Sequence, residues 1–360
     1  MSTSTSTSIG PAAPLLEVTD LRVTFDTEDG VVRAVDGVSF ELGEGETLGI
    51  VGESGSGKSV TMMSVMRLII DPNVHFAGSV AYRGQDLMAL DRKEMRAVRG
   101  SEIAMIFQDP MTSLNPVYKV GWQIAEQIRA HRKVSKAEAH KLAVELLAAV
   151  GIPNPERRAD DYPHHFSGGM RQRVMIALAL SCDPRVLIAD EPTTALDVTI
   201  QAQILALIKK LRTDFGSSVV LITHDMGVVA EMADRVAVMY AGRIVEHGTV
   251  REIFYRPQHP YTWGLLGSIA RLDRPKPERL NAIPGSPPSL TRLPTGCAFA
   301  ERCAYRFDKC AEVPPLHDRV GNGHLDACHL PAEEKQQHRS ELLLFSAGLP
   351  EALTAGEDAS

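Results

Sequence analysis

The stretch of sequence that decides the fold is Gly52-Glu53-Ser54-Gly55-Ser56-Gly57-Lys58-Ser59. It fits the pattern Gly-x-x-x-x-Gly-Lys-Ser, whose glycines let backbone N–H groups wrap phosphates at the positive end of a helix. In such a loop Lys58 reaches the β- and γ-phosphates and the Ser59 hydroxyl binds Mg²⁺. An apolar run over Thr47–Val51 precedes the loop and a helical pattern over Lys58–Ile70 follows it. A chance Gly/Ser loop would lack this context, so the sequence predicts a strand, a phosphate-binding loop and a helix.

Further apolar strands alternate with helical segments, which predicts a mostly parallel sheet covered on both faces. Helices are expected from a capping-box pattern at Ser135 and Glu138, after Ser167-Gly168-Gly169, and over Ile200–Leu211. Leu16–Leu42 is expected to form strands broken by a turn at Glu28-Asp29-Gly30. The remaining predicted strands are Ile103–Phe107, Val186–Ala189, Val219–Thr223 and a hairpin of Val236–Tyr240 with Arg243–Val245.

Composition narrows the class of protein. The net charge of −7, without a basic surplus, argues against nucleic acid as the main partner. No apolar run is long enough to cross a bilayer. The Ser/Thr-rich start, Met1–Pro14, lacks the charged and apolar regions of a signal peptide, so we expect a disordered tail and a cytoplasmic protein.

Asp190 and Glu191 follow directly on a predicted buried strand. A carboxylate at such a strand end can hold Mg²⁺, usually through water, and the next one can polarise an attacking water. Alone, these residues before Pro192 would indicate a solvated turn. The phosphate-binding loop upstream favours the chemical interpretation.

The segment Ser167-Gly168-Gly169-Met170-Arg171-Gln172-Arg173 closely resembles the signature motif of ABC-transporter ATPases, which usually have Gln where Met170 stands. A Ser and two Gly at a helix start present a hydroxyl and N–H groups to an anion. The resemblance implies that two such domains sandwich two ATP molecules head to tail. Each ATP would then contact one chain's phosphate loop and its partner's Ser167, Gly168 and Gly169.

Other ABC motifs occur in the expected order between Leu16 and Gly248. Gln108 matches the Q-loop glutamine and His224 the switch histidine that contacts the γ-phosphate. Ala195-Leu196-Asp197 matches the D-loop across the dimer. Phe25 stands where the family places a ring on adenine, although a Phe in an alternating strand also fits a core position. The resemblance implies catalytic roles for Glu191, His224, Gln108 and Lys58. It implies that Ser59, Gln108 and Asp190 bind Mg²⁺ and that Asp197 contacts the ATP of the partner subunit. The residues implied to contact this chain's own ATP are Phe25, Gly52, Ser54, Gly55, Gly57, Lys58, Ser59, Val60, Gln108, Asp190 and His224.

Several stretches resemble the ATPase subunits of bacterial oligopeptide, dipeptide and nickel importers: Gln108–Pro116, the Met170 variant, Asp190–Gln203, His259-Pro260-Tyr261-Thr262 and Ile283-Pro284-Gly285. Thr193-Thr194 resembles the first, or "D", type of the two different ATPase subunits that such importers usually pair. The resemblance implies a heterodimer, two integral membrane permeases, an extracytoplasmic solute-binding protein and a place at the cytoplasmic face of the membrane. Peptides are the favoured class of substrate, and nickel, other metal chelates and sugars are alternatives. One alternative hypothesis is a soluble ABC ATPase that acts on nucleic acid or ribosomes. Another is a P-loop kinase, but such kinases have no signature motif.

Four cysteines, Cys297, Cys303, Cys310 and Cys328, are separated by five, six and seventeen residues. Four thiolates can hold a [4Fe–4S] cluster or Zn²⁺, with His317, His324 and His329 as substitute ligands, and metal-free thiols are a third reading. The importer resemblance favours a [4Fe–4S] cluster with a structural role. Cys182, at an apolar helix end, is expected in the core.

The predicted fold is a P-loop NTPase with a RecA-like core, an antiparallel β-subdomain, a helical signature subdomain and a small Cys-rich C-terminal extension. A change of composition after Pro257 and dense prolines over Pro275–Pro294 predict a domain boundary. The expected division is a tail over residues 1–14, a nucleotide-binding domain over 15–257 with its helical subdomain at about 109–180, an extension over 258–335 and a polar tail over 336–360.

Overall fold

The computed structural model describes residues 13–109, 113–194, 196–268, 283–318, 321 and 323–343. The expected tail over residues 1–14 therefore lies almost wholly outside the described residues, as does Ala195 of the D-loop motif. The strands, in chain order, are β1 (Leu16–Thr27), β2 (Gly30–Leu42), β3 (Thr47–Val51), β4 (Val74–Tyr82), β5 (Gln85–Asp86), β6 (Ile103–Ile106), β7 (Val186–Asp190), β8 (Ser218–Thr223), β9 (Arg235–Tyr240), β10 (Arg243–Thr249), β11 (His317–Asp318) and β12 (Leu325–Asp326).

Helices lie in several of the connections between these strands and after the last of them. They are α1 (Lys58–Val65), α2 (Arg92–Val98), α3 (Val120–His131), α4 (Lys136–Ala149), α5 (Pro155–Arg158), α6 (Gly168–Leu180), α7 (Val198–Phe215), α8 (Met226–Met232), α9 (Val250–Tyr255), α10 (Pro260–Gly267) and α11 (Ala332–Leu343). Within the described ranges, none of these helices combines the length and apolar character needed to cross a membrane.

The strands form two sheets, one of order β2-β1-β4-β5 and one of order β11-β12-β10-β9-β3-β8-β7-β6. The first sheet is antiparallel, and the neighbours β3, β8, β7 and β6 of the second are parallel. Every residue of β3, β7 and β8 is buried, because helices or the other sheet cover both faces. Successive side chains of β8 enter different core clusters, Val219 and Leu221 on one face and Val220 and Ile222 on the other.

Helix α1 is shorter than its sequence pattern predicted. The expected range was Lys58–Ile70, but the helix ends at Val65. Arg67 adopts a left-handed conformation with φ 49°, and backbone bonds from Arg67 and Leu68 into the last turn close a Schellman motif. The usual stop signal there is glycine, so an arginine gave no warning in the sequence.

The boundaries of the other predicted helices and strands agree with the structure to within a few residues. Two further differences concern a helix cap and a strand that the sequence did not predict. Ser135 caps α4 by accepting from the Glu138 N–H at 3.2 Å, which is one half of the predicted capping box. Strand β4 was not predicted at all. Most of its residues are exposed, so its sequence lacks the alternation that marks a half-buried strand.

The C-terminal segment is built onto the large sheet. Strand β12 pairs with β10, and β11 pairs with β12. Glu246 of β10 is fully buried and accepts from His324 Nε2 at 2.8 Å. Lys335 of α11 forms a fully buried ion pair with Asp326 of β12. Removing one partner of such a pair leaves an uncompensated charge, so this contact fixes α11 against the sheet.

A glycine at the start of α1 generates the first testable prediction. Gly57 has φ 100°, and a Cβ there would come within 2.4 Å of the Ala34 carbonyl oxygen. Gly45 has φ 69° with open space around its Cβ position. We expect Gly45→Ala to lower the free energy of unfolding by about 1 kcal/mol, from backbone strain alone. Gly57→Ala should lower it by about 3 kcal/mol, because the clash adds to the strain. Urea unfolding of the two variants measures both values, and equal losses would contradict this account.

Candidate functional site

The phosphate loop, Gly52–Ser59, lies between the end of β3 and the start of α1. Lys58 is only 5% exposed, and its Nζ donates to the carbonyl oxygens of Gly52 at 2.8 Å and Glu53 at 2.9 Å. Burial lowers the pKa of Lys58, and the carboxylates of Glu191 and Asp190 oppose that shift. The described loop thus holds a buried ammonium on neutral carbonyls, a contact that an arriving anion can replace.

Asp190, the last residue of β7, faces the phosphate loop. The Ser59 hydroxyl donates to Asp190 Oδ1 at 2.9 Å. Burial raises the pKa of Asp190, while this hydrogen bond opposes the rise. Hydroxyl and carboxylate oxygens are the hard ligands that Mg²⁺ accepts, usually together with phosphate and water.

Glu191 follows directly and is the most connected carboxylate of the site. It adopts a left-handed backbone conformation with φ 44°, and its N–H donates to the Ile222 carbonyl oxygen of β8 at 2.9 Å. Its carboxylate accepts from Gln108 Nε2 at 2.9 Å and from the Thr194 hydroxyl at 2.8 Å. His224 Nδ1 lies 3.5 Å from Glu191 Oε1. Positive φ in a non-glycine residue is costly and persists where the surrounding structure imposes it.

Thr194 is the member of this group that the residue patterns missed. It belongs to the stretch after Glu191 that carries the family resemblance, but a hydroxyl three residues past a carboxylate has no distinctive spacing of its own. The turn after β7 brings it back onto Glu191, since the Thr194 N–H donates to the Glu191 carbonyl oxygen at 3.2 Å.

The other predicted ATP contacts differ in exposure. Ser54 and Gly55 are exposed at the tip of the phosphate loop. Phe25 and Val60 are partly buried and pack against the cluster of apolar residues between the two sheets. Phe25 therefore makes a core contact, and its contact with adenine stays a prediction.

The signature residues lie at the start of α6. Ser167 and Gly168 are exposed, and the Ser167 hydroxyl caps the helix by accepting from the Met170 N–H at 3.4 Å. Asp197 is also exposed and caps α7 through the Ile200 N–H at 3.0 Å. Both are helix N-termini that face away from the core, as an anion-binding contact with another molecule requires.

The four C-terminal cysteines line one small cavity, together with His259, Phe299, Tyr305 and His329 among others. All four are free thiols. Burial raises the pKa of Cys303 to about 11 and that of Cys328 to about 12. Among the described residues, no group of three or more His, Cys, Asp or Glu side chains is arranged closely enough to hold a metal ion. Cys182 is buried elsewhere, as expected.

Two protein families match different parts of the chain. Residues 35–194 match the family described as ABC transporter. Residues 245–310 match the family described as oligopeptide/dipeptide transporter, C-terminal region. The first match contains the phosphate loop and Glu191, and the second contains three of the four cysteines.

Curated relatives match most of the chain. It is 59% identical over 311 residues to the oligopeptide transport ATP-binding protein OppD of Bacillus subtilis, covering 86% of this chain and 87% of that protein. It is 53% identical over 324 residues to OppD of Salmonella typhimurium, covering 90% and 96%.

Solved structures match the nucleotide-binding part of the fold. The dimeric post-hydrolysis state of the ATP-binding cassette MJ0796, bound to ADP and Pi, is 28% identical with a TM-score of 0.59, covering 65% of this chain and 98% of that one. The order of the strands and the position of the site at the strand ends point to the same family as these similarities. The chain belongs to the ABC transporter ATPases, in the branch of the oligopeptide and dipeptide transport ATP-binding proteins.

Proposed function

We propose that this chain is the ATP-hydrolysing subunit that drives the import of peptides through a membrane complex. The observation that carries the proposal is the meeting of the phosphate loop, Asp190–Glu191, Gln108 and His224 at one edge of the parallel sheet. The relatives named as oligopeptide transport proteins support peptides as the substrate class.

In the proposed reaction the phosphate loop binds ATP and Lys58 leaves the carbonyls of Gly52 and Glu53 for the β- and γ-phosphates. Ser59 and Asp190, whose side-chain oxygens are 2.9 Å apart, would hold Mg²⁺ together with Gln108. Ser54, Gly55, Gly57 and Val60 complete the loop's grip, and Phe25 stacks on adenine. When bound, Mg²⁺ would neutralise part of the negative charge of the phosphates.

Glu191 activates the attacking water in this proposal. Gln108 and Thr194 both hydrogen-bond to Glu191 Oε2, which leaves Oε1 for the water and for His224. His224 contacts the γ-phosphate and reports its presence. Two fixed donors on one oxygen orient the base, and such orientation contributes much of the rate in phosphoryl transfer.

The proposed complex contains a second ATPase subunit of different sequence, two permeases and a solute-binding protein, at the cytoplasmic face of the membrane. The exposed helix starts at Ser167–Gly168 and at Asp197 support contact with the partner's ATP. We infer a nucleotide-binding domain over residues 15–257 and an extension after it, as the two family matches support.

We also propose that Cys297, Cys303, Cys310 and Cys328 hold a [4Fe–4S] cluster. Four thiols line one cavity, which is the donor type that such a cluster needs. They would have to move closer together on binding it, since no three ligands among the described residues are arranged for a metal ion. Backbone N–H groups of Phe299, Tyr305 and Leu330 point at three of the sulfurs, an arrangement that stabilises thiolates. The cluster would tie the loops of the extension together.

Purification without oxygen tests this cluster. We expect about four iron and four sulfide atoms per full-length chain, lost in Cys310→Ser and retained in Cys182→Ser, since Cys182 lies outside the cavity. Zinc in place of iron, or no metal in the anaerobically purified chain, would contradict the proposal.

The ATPase proposal predicts the behaviour of Glu191→Gln in the complex that a tag on this chain purifies from detergent-extracted membranes. Phosphate release at this chain's site should fall at least about 100-fold, because the base is lost. ATP binding should persist, because Lys58 and Ser59 are unchanged.

Glu126→Gln, at an exposed residue of α3, is the matched control and should retain wild-type turnover. Unchanged turnover in Glu191→Gln would contradict the assignment of the base. A preparation that contains no membrane protein would contradict the importer proposal.

A further inference from the structure

The second residue of the phosphate loop, Glu53, is held from outside the loop by the C-terminal segment. Arg302 donates to both carboxylate oxygens of Glu53, from Nη1 at 2.6 Å and from Nη2 at 2.9 Å. The two residues are 249 positions apart in sequence. Such a bidentate pair fixes orientation as well as charge.

Arg302 is itself fixed and shielded. Its side chain is 5% exposed. Besides Glu53, its five N–H donors reach the Pro284 carbonyl oxygen at 3.0 Å, that of Ile283 at 3.3 Å and the Tyr240 hydroxyl at 3.3 Å. The guanidinium also lies over the rings of Tyr240 and Phe299. All five donors are therefore engaged, and the guanidinium has one defined position.

Tyr261 of α10 makes a second contact with the same loop residue. Its hydroxyl accepts from the Glu53 N–H at 2.8 Å, and its side chain is fully buried. Backbone and side chain of Glu53 are thus both bound by residues that follow the ATPase core in sequence. Glu53 O, in turn, accepts from Lys58 Nζ at 2.9 Å.

We propose that Arg302 is a positioning residue for the phosphate loop: it neutralises the Glu53 carboxylate and keeps it turned away from the bound nucleotide, while Tyr261 holds the Glu53 backbone. This inference rests on the proposed binding of ATP by Gly52–Ser59. It gives the C-terminal segment a direct part in nucleotide affinity.

The physical reason is the sign of the charges. A phosphate loop binds an anion, so an unpaired carboxylate within the loop repels the ligand or captures Lys58. The Glu53 carboxylate already raises the pKa of Lys58 through space. An uncompensated carboxylate close to the phosphates should weaken nucleotide binding by about tenfold, which corresponds to about 1.4 kcal/mol.

Calorimetric titration of the full-length chain with ADP, which carries the β-phosphate, tests this inference. Arg302→Ala should raise the Kd for ADP by about tenfold. Adding Glu53→Gln to Arg302→Ala should restore the Kd to within about threefold of wild type, because the repelling charge is gone. Arg302→Lys, which keeps the charge but loses the fork, should have an intermediate Kd and serves if the alanine variant does not fold.

Two controls separate the possible failures. Arg306→Ala, at an exposed arginine of the same segment, should leave the Kd unchanged. Lys58→Ala should abolish ADP binding; if it does not, the phosphate-loop assignment itself is wrong. If Lys58→Ala abolishes binding but folded Arg302→Ala or Arg302→Lys binds ADP as wild type does, only the positioning role is overturned. It is equally overturned if Glu53→Gln fails to rescue Arg302→Ala, since the loss would then come from packing.

Discussion

Parallel pairing of β3, β8, β7 and β6 is the constraint on which the candidate site depends. Parallel strands end at the same edge, so residues that are far apart in sequence must meet there. The phosphate loop follows β3, Asp190 and Glu191 end β7, Gln108 follows β6 and His224 follows β8. The buried strands that fix this register are held by apolar clusters on both faces.

At that edge, burial acts in opposite directions on the two kinds of charged group. It lowers the pKa of Lys58 and raises that of Asp190, because each charge loses water. Neighbouring groups oppose these shifts: Glu191 and Asp190 raise the pKa of Lys58, and the Ser59 hydroxyl and Lys58 lower that of Asp190. Phosphates would raise the pKa of Lys58 and Mg²⁺ would lower that of Asp190, because each supplies the opposite charge.

Much of the site could be predicted because its chemistry is local in sequence. The phosphate loop needs glycines and a lysine at fixed spacing, and each further polar residue follows a recognisable buried strand. The contacts that the sequence could not predict join segments that are far apart along the chain. Arg302 and Tyr261 bind Glu53 although most of the ATPase sequence lies between them. The end of α1 was missed for another reason, since Arg67 takes a conformation that usually belongs to glycine.

Uptake of a labelled oligopeptide into vesicles that contain the complete importer measures whether hydrolysis at this edge of the sheet drives peptide import. With ATP on the side of this chain and the solute-binding protein on the other, we expect transport by the wild-type complex. In Glu191→Gln transport should stop although ATP still binds. Peptide uptake that continues in Glu191→Gln, or uptake of a nickel chelate in place of the peptide, would show that this chain does not drive peptide import by hydrolysis.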